Sequence, residues 1–144
     1  MMVEPIPGDA SDLHAALRAS SLPVDDLGEP GRTFFRFSDA SQTIGFGGFE
    51  LYGENVLLRS IVMLPEARGK GWGRTATDLL LERANNAGAR TAYLLTTDAA
   101  PFFERSGFQR IERSAAPADI LATRQAASIC PSTAALLARS IQGI

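Results

Sequence analysis

The spacing of apolar residues changes several times along the chain, and each change marks an element. The first ten residues hold two prolines and a glycine and set no period. Beyond them Leu13, Ala16 and Leu17 follow a helical spacing, with Asp9 or Ser11 placed to cap the helix and Pro23 to stop it. After the stretch from Leu27 to Gly31, the run Thr33-Phe34-Phe35-Arg36-Phe37 reads as a strand and Ser38 to Ser41 as its turn. A second strand, Ile44 to Tyr52, contains Gly45, Gly47 and Gly48. Glycine inside a strand points to a bend, or to close approach by another backbone or a ligand.

Val56 to Leu64 is nearly all apolar and ends at Pro65, as expected of a central strand covered on both faces. Ala76, Leu79, Leu80, Arg83, Ala84 and Ala87 then form one helical stripe from Thr75 onward, and Gly88 stands where a C-terminal cap belongs. Thr91 to Thr96 is a further buried strand, and strand, helix, strand in this order implies a crossover between parallel neighbours. Pro101 to Arg105 reads as a short helix ending before Gly107, with an extended segment from Phe108 to Arg113. The alanine-rich tail predicts helical turns near Pro117 to Gln125 and from Pro131 to Arg139; its Ile129, Leu136 and Leu137 need something to pack on. The whole is an α/β chain with a mixed sheet.

Composition narrows the partners. With 144 residues, 45% apolar and 21% charged, the chain fits a single domain spanning 1–144. The net charge is only −2 and the basic residues are scattered, so neither nucleic acid nor an anionic membrane is the expected partner; a small molecule is. The lone Cys130 cannot form an internal disulfide, and no signal peptide or spanning helix is read, which makes a reducing cytoplasm the expected location. No metal-ligand spacing occurs.

Between the central strand and the long helix lies Arg68-Gly69-Lys70-Gly71-Trp72-Gly73-Arg74. Glycine leaves backbone N–H groups unshielded, and the first amides of a helix carry the positive end of its dipole, so a pyrophosphate can accept several of them. Arg68, Lys70 and Arg74 supply counter-charge. The alternative is a glycine turn that only lets helix and strand pack closely. A Walker loop is excluded because Lys70 is followed by Gly71-Trp72 rather than Ser or Thr. Gly71-Trp72-Gly73-Arg74-Thr75-Ala76 does satisfy the looser dinucleotide fingerprint, but no acidic residue ends the next strand at the expected separation.

Arg68-x-x-Gly71-x-Gly73 after a strand ending in proline resembles the acetyl-CoA signature of the GNAT N-acetyltransferases. Phe102-Phe103-Glu104-Arg105-Ser106-Gly107-Phe108 is similar to that family's second signature, and together the likeness covers roughly Gln42 to Arg110. Within the family, Leu57-Leu58-Arg59-Ser60, Tyr93-Leu94-Leu95-Thr96-Thr97 and the tail Thr123 to Ser132 resemble the arsenic-resistance subgroup. The resemblance implies a GNAT-like fold, a splayed central mixed sheet flanked by helices, with acetyl-CoA as acyl donor. It places the pantetheine arm beside Val62 and Met63, the pyrophosphate on the amides from Gly69 to Arg74, and Phe102 and Phe103 near the cofactor. It also assigns oxyanion stabilisation to the Met63 amide.

One position departs from that pattern. The family commonly has a tyrosine acid where this chain has Phe103, which carries no proton to give. A thiolate of pKa near 8.5 leaves without full protonation, and Thr96, Thr97 or a water are the substitutes. Glu50, near a strand end, is the candidate base; its other reading is a solvated edge carboxylate. Arg59, in an apolar strand, must either bind an acidic substrate from a wet cavity or pair with a carboxylate such as Glu50 or Glu82. Cys130 is a reactive thiol or a small buried hydrophobe. Acetylation of a small-molecule amine is thus expected, the other reading being a catalytically weak acyl-CoA sensor, with the tail either closing the core or exchanging across a homodimer.

Overall fold

The computed structural model describes residues 1–129 and 133–144; Cys130 lies outside them. Seven strands form one mixed sheet in the order β1-β2-β3-β4-β5-β7-β6, flanked by helices. The chain divides into two compact units, Met1–Glu50 with Leu58–Arg83, and Leu51–Leu57 with Ala84–Ile144.

In the first unit β1 (Met2–Ile6), β2 (Arg32–Asp39) and β3 (Gln42–Tyr52) are antiparallel neighbours. β1 was not predicted, because Pro5 and Pro7 break any period; it forms as an edge strand, where a missing donor is tolerated. The β2–β3 hairpin turns at Ala40 and Ser41, both with positive φ (49° and 67°), as a two-residue turn matched to strand twist requires. Helix α1 (Ser11–Ala19) buries the expected Leu13, Ala16 and Leu17, packed with Leu27, Phe34, Phe46 and Val62. Its cap differs from expectation: Ala10 is the N-cap with no side-chain bond, and the helix stops at Ser20, ahead of Pro23. Asp12 instead joins α1 to the sheet through Arg36, whose Nε and Nη2 donate to it at 2.9 and 3.0 Å.

The glycines of β3 answer to close approach. A Cβ at Gly45 would run into the Val62 carbonyl oxygen and the Met63 side chain, and one at Gly48 into Phe34. Strand β4 (Asn55–Met63) thus lies tightly against β3, and α2 (Trp72–Asn86) follows it, three residues earlier than the stripe from Thr75 suggested.

In the second unit β4 pairs in parallel with β5 (Thr91–Thr96) at Asn55↔Thr91, Val56↔Ala92 and Leu57↔Tyr93. Helix α3 (Ala100–Arg105) and the short β6 (Gln109–Ile111) match the sequence reading, and a four-residue α4 (Ala118–Leu121) and a π-helical turn Gln125–Ile129 follow. The expected helix from Pro131 to Arg139 is corrected: Ala135–Ser140 is a strand, β7, inserted antiparallel between β5 and β6. Alanine and leucine are good helix formers, but intrinsic propensity is a weak determinant, and two flanking strands offering ladder bonds on both sides override it. Leu136 and Leu137 are buried there, so the tail closes this chain's own core.

Leu137 is fully buried. Leu137→Ala should lower the unfolding free energy by about 3 kcal/mol, read as a reduced urea midpoint at unchanged m value.

Candidate functional site

β4 carries one cation, Arg59, and its side chain is 1% exposed. Such a charge is tolerable only when paired, and every nitrogen of the guanidinium is engaged. Nη1 donates to Asp26 Oδ2 and, at 2.9 Å, to Glu50 Oε2; Nη2 donates to Asp26 Oδ1 at 2.7 Å; Nε donates to Ser60 Oγ at 3.1 Å. Arg32, opposite Glu50 in the β2–β3 register, adds a second guanidinium, its Nη2 3.1 Å from Asp26 Oδ2 and 3.8 Å from Glu50 Oε1. The two buried carboxylates thus face two guanidiniums, and the more exposed Glu29 stands 3.5 Å from the same Arg32 nitrogen. The buried Arg32 Nε has no hydrogen-bond partner among the described residues.

Burial alone would push the Asp26 carboxyl up, but hydrogen bonds and charge from Arg59, reinforced by Arg32, outweigh it and hold the group below its ordinary range. Burial likewise works against the Arg59 cation, and Asp26 with Glu50 reverses the sign and raises it. Of the two pairing partners expected for Arg59, Glu50 is used and Glu82 is not: Glu82 is exposed on α2, and Asp26 takes its place. Asp26 went unread because it lies in an irregular segment with no period. The signal available was Arg59 itself, which needed more carboxylate than one glutamate supplies.

The next residue, Ser60, has φ of 58° in mid-strand. A left-handed non-glycine residue costs about 1–3 kcal/mol and persists only when its surroundings fix it. Beyond it the Leu64 N–H donates to the Ile44 carbonyl at 2.8 Å, so the alternation of an antiparallel pair turns the Met63 peptide to the other edge of β4. There the Met63 carbonyl accepts from Arg68 Nε at 3.1 Å. Among the described residues, pairing with β5 ends at Leu57.

A 3-10 turn, Pro65–Ala67, leads from β4 to the glycine loop. Gly69 and Gly71 have φ of 78° and 81°, and a Cβ at either would meet nothing within 4 Å. Conformation, not crowding, therefore calls for glycine. The 15-residue helix α2 starts at Trp72, so its first amides, those of Trp72, Gly73 and Arg74, lack acceptors within the helix. Arg68, Lys70 and Arg74 are exposed. An open glycine backbone, a helix N-terminus and three cations fit a pyrophosphate. The half-buried Trp72 and the exposed Lys70 also line a cavity of about 440 Å³ with Asp39, Gln42, Thr43 and Glu66.

In the second unit Thr96 Oγ1 accepts from the Ala99 N–H at 3.0 Å at the entrance to α3. Phe103 is buried, edge-on to Phe102 at 5.0 Å and to Phe108 at 5.9 Å. Among the described residues no cluster of three or more metal-ligating side chains forms, and no helix is long and apolar enough to cross a membrane.

The family described as Acetyltransferase (GNAT) domain matches residues 30–110, more than half of the chain. The chain belongs to this GNAT acetyltransferase family. Solved structures of low sequence identity share its fold. N-acetylglutamate synthase from Neisseria gonorrhoeae, complexed with coenzyme A and N-acetyl-glutamate, is similar with a TM-score of 0.75 at 15% identity, over 98% of this chain and 35% of that one. The chain thus spans about a third of that synthase's length. Tetrahymena GCN5 gives a TM-score of 0.76 at 12% identity over 100% and 98% of the two chains. An aminoglycoside 6'-N-acetyltransferase complexed with coenzyme A gives 0.70 at 17% over 98% and 97%. Among curated proteins none matches.

The ion cluster has a pH signature. Because the folded Asp26 carboxyl sits below its unfolded value of about 3.9, its stabilisation is present above that pH and lost as pH falls through the folded value. Asp26→Asn should cost roughly 3 kcal/mol at pH 7. The difference from the native chain should narrow below about pH 4 in calorimetric melts across that range.

Proposed function

We propose that residues 1–144 form one GNAT-like acetyltransferase domain that transfers an acetyl group from acetyl-CoA to the amine of a small molecule. The observation that carries this reading is the loop itself: two open left-handed glycines feeding the N-terminus of α2, directly after the outward edge of β4. The amides from Gly69 to Arg74, with the side chains of Arg68, Lys70 and Arg74, hold the pyrophosphate. The peptides of Val62 and Met63 lie along the pantetheine, with Trp72, Phe102 and Phe103 as apolar neighbours of the cofactor. The names of two structural neighbours, an N-acetylglutamate synthase and an aminoglycoside acetyltransferase, support a small amine as acceptor. The residues resembling the arsenic-resistance subgroup extend the proposal to an arsenical or other toxic amine.

In this reading the acceptor nitrogen attacks the thioester carbonyl, forming the C–N bond. The oxyanion is met by the Met63 N–H, and collapse breaks the C–S bond to release CoA thiolate. Catalysis is mainly positioning. Thr96, whose hydroxyl oxygen accepts from the Ala99 N–H, is the proposed donor to the departing sulfur. Glu50 and Arg59, first read as base and as binder of an acidic acceptor, are engaged with each other, which favours a supporting role; the ammonium proton then passes to water. A cytoplasmic location and a homodimer belong to the proposal as expectations; the tail on which the dimer was argued is used within the chain.

Buried, apolar Phe103 favours a second reading, an acyl-CoA sensor of low turnover. Thermal shift with acetyl-CoA, CoA and NAD in parallel, followed by thiol release with a panel of amines, separates the two. At a hundred times its dissociation constant either CoA form should add about 2.7 kcal/mol of stability, and NAD none. Binding without thiol release supports the sensor, and a shift with NAD alone sinks both. Gly71→Val, which forces a branched side chain into the left-handed region, should weaken CoA binding at least about tenfold.

A further inference from the structure

We propose that Asp26 is a positioning residue for the reacting edge of β4, acting through Arg59 on the backbone turn at Ser60. What the edge does rests on the function proposed above; what holds it does not.

In a regular strand the side chains of consecutive residues point to opposite faces. A hydrogen bond from Arg59 Nε to Ser60 Oγ therefore marks the place where β4 abandons that alternation, and the Ser60 φ of 58° is the backbone form of the same break. Serine does not choose this conformation, so its neighbours must impose it. The Ser60 hydroxyl is tied to one nitrogen of a planar fork whose other two nitrogens are occupied by Asp26 and Glu50. Asp26 takes both ends of the fork, fixing its plane as well as its place. The guanidinium carbon also stands 5.7 Å from the Phe34 ring centroid, closing one face.

From Ser60 the fixed geometry is passed to Ile61, Val62 and Met63, whose peptides alternate between the β3 side and the open side of the strand. If the fork is released, Ser60 relaxes toward an extended conformation and these amides lose their register with Ile44 and Gly45. A residue in the segment after α1 thus sets the direction of the Met63 N–H without touching substrate.

The test begins on the protein without ligand, by residue-resolved amide hydrogen exchange. Asp26→Asn should raise exchange at Ile61 to Met63 about tenfold or more relative to the rest of the sheet. Asp26→Glu, which keeps the charge, should restore part of the protection. Glycine accepts a positive φ without being held there, so in a Ser60→Gly background the local effect of Asp26→Asn should shrink severalfold. Equal effects in both backgrounds, or exchange rising evenly through the sheet, would overturn the proposal. If Asp26→Asn does not fold, Ser60→Ala and Ser60→Gly decide: the alanine loses the hydroxyl but keeps the strain and should loosen Ile61 to Met63, whereas the glycine should not. Identical exchange in the two would count against it. In turnover assays Asp26→Asn should lower kcat more than it raises KM for acetyl-CoA. Should the native chain bind no CoA, the function above fails while the exchange data still judge the role of Asp26.

Discussion

A buried positive charge in the middle of an apolar strand is the constraint around which the first unit is arranged. Arg59 cannot stay between β3 and the core without anionic partners, and the partners come from three places: the segment after α1, the end of β3 and, indirectly, the start of β2. Once Asp26 is drawn in, Leu27 follows it into the core against Leu13 and Leu17. Once Glu50 is fixed, Arg32 is held across the hairpin. Replacing such a cluster by hydrophobic residues is often neutral for stability, so its presence here is better explained by what it orients than by what it stabilises.

The glycine loop serves a different physical need. It leads into the first turn of α2, whose leading amides lack acceptors within the helix. The three-residue 3-10 turn and the positive φ values of Gly69 and Gly71 reverse the chain within a few residues of Met63. The outward peptide of Met63 and the first turn of α2 are therefore close in sequence because one continuous stretch of backbone supplies both. In the function proposed above, main-chain groups of this stretch carry the chemistry, and side chains are mostly its scaffolding.

Much of this was legible beforehand. The Val56 to Leu64 run, the helix after Thr75 and the strand Thr91 to Thr96 were read within a few residues, because their periods are set by burial; of the helical stripe Ala76, Leu80 and Ala84 are buried, whereas Arg83 and Ala87 are exposed. The glycine loop was located from residue chemistry, three glycines among three cations ahead of a helix, and the structure places it there with Gly69 and Gly71 in the left-handed region. What escaped detection depends on partners distant in sequence. β1 needs β2 to exist, β7 needs both β5 and β6, and Asp26 owes its place to an arginine 33 positions later. Ser60 could not be read at all, since a left-handed serine has no signature in composition or spacing.

β7 comes after β6 in the chain but lies between β6 and β5 in the sheet. Gln109–Ile111 therefore has nothing to pair with until Ala135–Ser140 has arrived, and β5 keeps one side open for the same interval. A ribosome that has released everything up to the π-helical turn would expose two waiting strand edges at once. The second unit must then close in a single late insertion spanning some of the chain's longest sequence separations, a topology that makes folding slow and leaves the nascent chain open to edge-on association.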